Sequence, residues 1–343
     1  MVESTAGGVG QSILCLSDGT NQRSPSSLFR DNHTIYLMLL SVQEVLTMGL
    51  SFVRIEKPIQ QRMSQETRMN KFRKHYGSTP LDLAEQWYDL TVTTIPLASL
   101  DEKDKTMKGF KMFMVAHYFL WTYPRNAEQL ASRFSMNERY VQGHHLWRWI
   151  EKIAALKEKK IVWPDQVNYT DLDLFFISVD GTDCKCFEPQ HDRYPVDSQM
   201  KSDKFNKAGW KYEVAMLVHQ PKIVWIYGPH KASKSDITTF REHLKHKLTS
   251  LPGVMASGDL GYRTSELDEI DLLAWPNSMD PLEVREYKSR IRCRMETLFG
   301  RLKNFRALKD TWRHTKDQHR MAFEAVAVTV QYQMDNGSPV YHV

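Results

Sequence analysis

The sequence predicts two classes of structure in series, an all-helical region up to about residue 163 and an α/β domain after it. The first half carries apolar residues at helical spacing, separated by helix caps and stop signals. From Tyr169 onward the pattern changes to short runs rich in β-branched and aromatic residues. The most distinct run, LDLFFISVD, ends at Asp180 before Gly181. Its near-continuous apolar character is typical of a strand buried on both faces, so we expect the second half to be organised around it, with Asp180 at the strand's end.

The composition is that of a globular protein with a mildly basic balance. The 343 residues suffice for more than one hydrophobic core, and 41% of them are hydrophobic and 25% charged. A net charge of +5 permits a nucleic-acid partner without requiring one. The four cysteines show no C-x-x-C spacing, which argues against a zinc module and a disulfide framework.

The first half is predicted to contain a tail and a helical module. Residues 1–34 lack the pattern of a secretory signal and are expected to form a flexible tail. Residues 35–53 are apolar but contain Glu44 near their centre, which favours a core helix over a membrane span, so no membrane partner is expected. Within the module, residues 35–105, Ser64 and Gly77 bound one helix and Thr79 begins the next.

Residues 106–163 match the plan of a helix-turn-helix. A long apolar helix ends at Pro124, Asn126 opens the short helix AEQLASRF, and Asn137 caps a longer helix, ERYVQGHHLWRWIEKIAAL. In this plan the first turns of the second helix enter the major groove of DNA. The candidates to face DNA are Arg139, Tyr140, Gln142, His144 and Arg148. A purely structural three-helix unit is the alternative.

The order of elements after the segment KIVWP predicts the fold of the second half. Strand-like runs at ISVD, WKYEVAMLV and KIVWIYG are followed by a helix over about residues 235–250, strands at VMAS and DLLAW, and a basic helix over about 281–304. Three strands, a helix, two strands and a helix is the order of an RNase H-like domain, a mixed sheet flanked by helices. We expect this α/β domain over residues 164–335, with 336–343 as a C-terminal tail.

Three acids take related positions in these elements. Asp180 ends the first strand, Asp259 follows VMAS, and Glu296 lies in the last helix. Converging carboxylates are what Mg²⁺ or Mn²⁺ requires, and two such ions serve in phosphoryl transfer. Each acid alone also has an ordinary explanation, as a turn residue or a surface glutamate.

Basic residues surround these acids in the sequence. Arg292, Glu296 and Lys303 fall at i, i+4 and i+11, on one helix face. Cations beside an acidic centre suit a polyanionic substrate, although a solvated helix face is the alternative. In the loop KSDKFNKAG, Lys204 is a further candidate to hold a DNA strand.

The segments SVDGTD, SGDLGYR and RCRMETLFGRLKNF together resemble the three catalytic blocks of the DDE transposases. The likeness is to the PIF/Harbinger superfamily and the related bacterial insertion-sequence enzymes, over residues 108–313. It implies a DDE triad at Asp180, Asp259 and Glu296 that uses two Mg²⁺ or Mn²⁺ ions. The spacing from Arg292 to Lys303 also resembles part of a signature in the bacterial relatives, whose tyrosine would fall at Ser289.

The resemblance also implies the activity and the partners. We expect recognition of terminal inverted repeats, hydrolytic strand cleavage and strand transfer by the freed 3′-hydroxyl. The partners would be double-stranded DNA, at both transposon ends and target, a second copy of the chain and, in some relatives, a separate DNA-binding accessory protein; the expected location is the nucleus. A domesticated DNA-binding regulator without cleavage and a nuclease without strand transfer are the alternatives.

Overall fold

The computed structural model describes residues 39–53, 63–141, 144–164, 175–188, 197–251 and 253–342. The predicted tail, residues 1–34, lies outside these ranges, as do Gln142 and the first residues of the predicted strand, 172–174.

Helix caps set the boundaries of the first four helices, α1 (Val42–Phe52), α2 (Gln65–Tyr76), α3 (Pro80–Val92) and α4 (Met107–Thr122). Ser64 caps α2, and Gly77 ends it with a φ of 70°, a conformation that glycine adopts without strain. Thr79 and Asp82 form a capping box at α3. The caps and stops predicted for these helices are confirmed. Within the described ranges no helix is both long and apolar enough to cross a membrane.

The predicted helix-turn-helix is built from short segments. Helix α5 (Ala127–Phe134) is followed by α6 (Glu138–Val141), α7 (His144–Ala155) and α8 (Lys157–Lys160). The Asn126 side chain accepts from the Gln129 amide, as the sequence predicts, and Asn137 accepts from the Arg139 amide. The second helix of the motif is described on either side of residues 142–143.

Six strands form one mixed sheet. They are β1 (Ile177–Lys185), β2 (Lys201–Ser202), β3 (Lys207–Leu217), β4 (Ile223–Lys231), β5 (Ala256–Ser257) and β6 (Leu273–Ala274). The order is β4-β3-β1-β5-β6, with β2 paired to the first residues of β3. Strands β1, β3 and β4 are antiparallel, whereas β1, β5 and β6 are parallel.

The position of Asp180 within its strand differs from the prediction. Strand β1 continues past Asp180 to Lys185, because β3 pairs with it along its whole length, including Gly181 opposite Glu213. Glycine followed by polar residues marks a strand end only when no neighbour continues the ladder. Asp180 is therefore in the middle of β1, where only the partner on the other side, β5, has ended.

Helices cover both faces of the sheet. They are α9 (Asp236–Glu242), α10 (Leu244–Thr249), α11 (Leu267–Ile270), α12 (Leu282–Asn304), α13 (Arg306–Lys309) and α14 (Lys316–Asp335). The helix predicted over 235–250 is divided into α9 and α10 at His243, whose φ and ψ of −141° and −50° interrupt the helix.

The hydrophobic core lies in two main clusters, one on each face of the sheet. Ile177 and Val179 of β1 pack with residues of α9 and α10. Cys184, also from β1, belongs to the larger cluster, which continues through α12 and α14 into the N-terminal helices. Helix α14 packs against α7, α3 and β4. The sequence segments predicted as separate modules therefore share one core, with α14 at its centre.

Candidate active site

The register of two parallel strands brings Asp180 and Asp259 together. Ser178 of β1 pairs with Ser257 of β5, and each aspartate lies two residues beyond its paired serine. Residues at equal distance beyond a parallel pair lie side by side at the same edge. The side chain of Asp180 lies on the face of the sheet that α12 covers, opposite the face of Val179.

A glycine amide fixes each of these aspartates. The Gly181 N–H donates to Asp180 Oδ1 at 2.6 Å, and the Gly261 N–H donates to Asp259 Oδ1 at 2.8 Å. Asp259 thereby caps the short 3₁₀ turn Leu260–Tyr262. Both carboxylates are half-buried, so their orientation is set by backbone groups that cannot rotate away.

The Asp259 carboxylate disfavours the negative charge of Asp180. The pKa of Asp180 is raised to about 7, mainly by burial and in addition by the charge of the neighbouring Asp259 carboxylate. The Lys204 ammonium and the Gly181 amide act in the opposite direction. A bound divalent cation would remove this repulsion, because it favours the ionised form of both acids.

Glu296 reaches the same cavity from α12. The cavity has a volume of about 350 Å³ and is lined by the three predicted catalytic acids together with three of the predicted basic residues. These six are Asp180, Asp259, Glu296, Lys204, Arg292 and Lys303. The structure thus places one face of α12, the middle of β1 and the end of β5 around a single space.

The basic residues of the cavity already contact neighbouring groups. Lys204 Nζ donates to the Gly181 carbonyl oxygen at 2.8 Å, beside the aspartate pair. Arg292 Nε lies 3.3 Å from Glu296 Oε1 in an exposed ion pair. Cations held at the cavity wall are suited to bind the phosphates of a nucleic acid.

The fit of a metal ion rests on the oxygen donors present. Among the described residues no group of three His, Cys, Asp or Glu side chains is arranged to hold a metal ion. The close pair is Asp180 and Asp259, whereas the Glu296 carboxylate pairs with Arg292. The carboxylate oxygens of Asp180 and Asp259 are the hard donors that Mg²⁺ or Mn²⁺ prefers, and a bound cation would offset the repulsion between the two side chains. Convergence of all three acids on shared ions stays a prediction.

The predicted DNA-facing residues of the helix-turn-helix fall into two groups. Arg139 and His144 are exposed. The Tyr140 ring is half-buried, stacked on His145 at 4.3 Å between ring centroids, with Lys108 Nζ 4.3 Å from its centre. Gln142 lies outside the described residues.

Arg148 has a partner that the sequence analysis did not foresee. Its guanidinium donates to both carboxylate oxygens of Asp104, at 2.9 and 2.5 Å, and its side chain is only 25% exposed. A bidentate pair of this kind fully occupies one edge of the guanidinium. Arg148 therefore fastens α7 to the turn before α4.

Asp236 is a further acid near the aspartate pair, and its charge contributes to the raised pKa of Asp180. It is the first residue of α9. The only sequence signal is its position after the helix cap Ser235, which does not reveal what lies opposite it in space.

No protein-family model matches this chain, and no curated protein matches it. Among solved structures, one match is the Mos1 transposase paired-end complex with the left transposon end, at 9% identity over 89% of this chain and 99% of that chain, with a TM-score of 0.19. Another is the mariner Mos1 paired-end complex with Mg, at 10% identity over 89% of this chain and 100% of that chain, with a TM-score of 0.20. Similarities this weak establish neither the fold nor the function of this chain.

Proposed function

We propose that the chain is a metal-dependent DNA transposase of the DDE type, which cuts DNA at transposon ends and joins the freed 3′-hydroxyl to a target strand. One observation carries the proposal: Asp180, Asp259 and Glu296 line a single cavity whose wall also bears Lys204, Arg292 and Lys303. The strand order β4-β3-β1-β5-β6, antiparallel on one side of β1 and parallel on the other, supports an RNase H-like fold.

The basic and the acidic residues that line the cavity would have different roles. Arg292, Lys303 and Lys204 bind phosphates on either side of the scissile bond, because their charges lie around the acids. Asp180 and Asp259, oriented by glycine amides, and Glu296 from the opposite helix would hold Mg²⁺ or Mn²⁺. Such ions would activate the attacking oxygen and stabilise the leaving oxygen.

The reaction divides into two displacements at phosphorus. In the first, water attacks the phosphorus and the 3′-oxygen leaves as a hydroxyl. In the second, that 3′-hydroxyl attacks a target phosphodiester, whose own 3′-oxygen leaves. The DNA would be nuclear, and a second chain copy would hold the second transposon end.

The test is cleavage of labelled DNA that carries a transposon end, with Mg²⁺ or Mn²⁺ present. We expect Asp259→Asn to abolish nicking while DNA binding is retained, since the exchange removes one carboxylate and keeps the side-chain shape. Asp268→Asn is the matched control, because Asp268 is exposed and pairs with Lys245 away from the cavity lining. Full nicking by Asp259→Asn would contradict the proposed chemistry.

The same experiment separates the alternatives. Nicked products that are never joined to a target would indicate a nuclease without strand transfer. Metal-independent DNA binding with no nicking by the wild-type chain would indicate a DNA-binding regulator, for which the exposed start of the helix-turn-helix would provide the contact surface.

A further inference from the structure

One carboxylate lies against two backbone segments, the middle of β1 at Gly181 and the 3₁₀ turn after Asp259. A Cβ added at Gly181 would lie 2.4 Å from Asp236 Oδ1, and a Cβ added at Gly261 would lie 2.6 Å from Asp236 Oδ2. These are the same two glycines whose amides donate to Asp180 and Asp259. Each oxygen of Asp236 therefore faces one of the glycines that orient the site.

Asp236 approaches Gly181 and Gly261 from the face of the sheet opposite the Asp180 side chain. Side chains alternate along β1, so Gly181 faces the side of Val179, where α9 packs, while Asp180 faces α12. Asp236 is not among the residues that line the 350 Å³ cavity. It therefore does not contact a substrate there, and its influence reaches the site through Gly181 and Gly261 and through its negative charge.

Lys211 holds the Asp236 carboxylate in place. Lys211 Nζ lies 3.1 Å from Asp236 Oδ1 and donates to the Lys234 carbonyl at 2.7 Å. The side chains of Lys211 and Asp236 are only 10% and 16% exposed. Since Lys211 belongs to β3, which pairs with β1 over nine residues, the sheet itself fixes the carboxylate.

A simpler role as a helix cap does not account for this arrangement. Ser235 already caps α9, because its side chain accepts from the Thr238 amide. An acid placed only to complement the helix dipole would be free to point into solvent. The Asp236 carboxylate is instead enclosed by Lys211, Gly181 and Gly261.

We propose that Asp236 is a positioning residue, whose carboxylate sets the spacing between Gly181 in β1 and the turn at Gly261 and thereby between Asp180 and Asp259. The inference rests on the proposed function, because it assigns Asp236 to the same metal site. It also explains why glycine is needed at both positions, since any larger residue would displace the carboxylate or the turn.

The test uses Mn²⁺ binding, measured by electron paramagnetic resonance of the free ion without DNA, beside nicking of labelled DNA. Asp236→Ala should weaken Mn²⁺ binding by about 10- to 100-fold, the usual effect of losing a group that orients metal ligands. Asp236→Asn keeps the shape and should restore most of the affinity. Asp268→Asn serves as the control and should bind Mn²⁺ like the wild type.

A double variant tests the contact itself. Gly181→Ala should weaken Mn²⁺ binding because its methyl group meets Asp236, and adding Asp236→Ala should recover part of that loss by removing the obstruction. If Asp236→Ala does not fold, Gly181→Ala and Gly261→Ala decide: both must weaken Mn²⁺ binding while thermal unfolding stays cooperative.

The outcomes distinguish this inference from the proposed function. A wild-type chain that neither binds Mn²⁺ nor nicks DNA overturns the proposed function, and the role of Asp236 with it. A wild-type chain that does both, together with wild-type Mn²⁺ affinity in Asp236→Ala or in the two glycine variants, overturns the role of Asp236 alone.

Discussion

Glu213 is a carboxylic acid inside the sheet, only 1% exposed. Its carboxyl group accepts from the Trp225 indole N–H at 3.0 Å and from the Tyr262 hydroxyl at 3.4 Å. Burial raises its pKa to about 8, partly opposed by the Trp225 hydrogen bond and reinforced by the charge of Asp236. Glu213 is therefore protonated in the folded chain at neutral pH.

Protonation of Glu213 predicts a loss of stability as pH rises from about 4.5 to about 8. The unfolded chain ionises this group near its ordinary pKa of 4.5, so between that value and about 8 the folded state binds more protons. The stabilising contribution is complete below 4.5 and is lost as pH rises through about 8. The free energy of unfolding should fall by up to about 1.4 kcal/mol per pH unit from this group.

Glu213→Gln should remove this contribution, because glutamine resembles the protonated acid. Urea unfolding is measured between pH 6.5 and 8, where the titration of histidines in the unfolded chain contributes equally to every variant and cancels when slopes are compared. The fall in stability with pH that Glu213 causes should be absent in Glu213→Gln, so its pH slope should be more positive than that of the wild type, and the slope should be unchanged in Glu102→Gln, whose side chain is 69% exposed. Equal slopes in all three proteins would contradict a protonated Glu213.

Local sequence revealed some of these residues and not others. Asp180 and Asp259 could be predicted as candidates because each follows an apolar run and lies next to a glycine. The partner of Arg148 was not found, because Asp104 lies 44 residues earlier in the chain. The position of Asp236 likewise depends on Gly181 and Gly261, which only the packing of α9 on the sheet brings near.

At the scale of elements, α6 and α7 expose the start of the helix-turn-helix. Arg139 in α6 and His144 at the beginning of α7 are exposed. Further along α7, Trp149, Ile150 and Ile153 are buried against α4 and α14. Under the proposed function these exposed first turns would contact DNA, whereas the buried part of α7 is a core element.

Arg139 and Arg148 should respond differently to truncation. Arg139→Ala should weaken DNA binding and reduce the slope of log affinity against log salt by about 0.9 if the side chain contacts one phosphate. A filter-binding or fluorescence titration at several salt concentrations measures this slope. An unchanged slope would remove Arg139 from the contact surface.

Arg148→Ala should instead lower stability and leave the salt slope unchanged. It leaves the buried Asp104 carboxylate without its bidentate partner, although Lys152 Nζ remains 3.9 Å away. We expect a loss of about 2 to 3 kcal/mol in the free energy of unfolding. A weaker salt slope with full stability would assign Arg148 to DNA after all.

At the scale of the whole molecule, α14 joins the N-terminal helices to the sheet. Its residues are buried on nearly every side, including Phe323, which stacks on Tyr212 of β3 at 3.8 Å between ring centroids. Tyr332, also in α14, donates to Asp89 of α3 at 2.5 Å. The residues from Tyr36 onward belong to one unit by their contacts.

This shared core predicts a single cooperative unfolding transition. Phe323→Ala should cost about 3 to 5 kcal/mol and lower the protection of amides in α3 and β1 by the same factor. Native-state hydrogen exchange measures both regions in one sample. Leu267→Ala, at a residue 84% exposed, is the control. Loss of protection in β1 with α3 unaffected would show that the regions unfold separately.

The sequence predicted the class and order of most elements because caps, glycines and apolar runs are local signals. The shared core was missed because the partners of α14 lie far away in the chain. A signal was present, since AVAVTV in this segment is apolar on all sides, as in a helix buried all round. What it packs against cannot be deduced from periodicity alone.

Because α14 is central to the core and is the last of the described helices in the chain, the order of synthesis determines when the chain can fold. Ribosomes deliver α3, α7 and β4 before α14, so the surfaces that α14 covers are made first and stay exposed to water during translation. Apolar surface exposed in this way invites chaperones or aggregation. A nascent chain should therefore acquire its protease-resistant form only after residue 335 has left the exit tunnel.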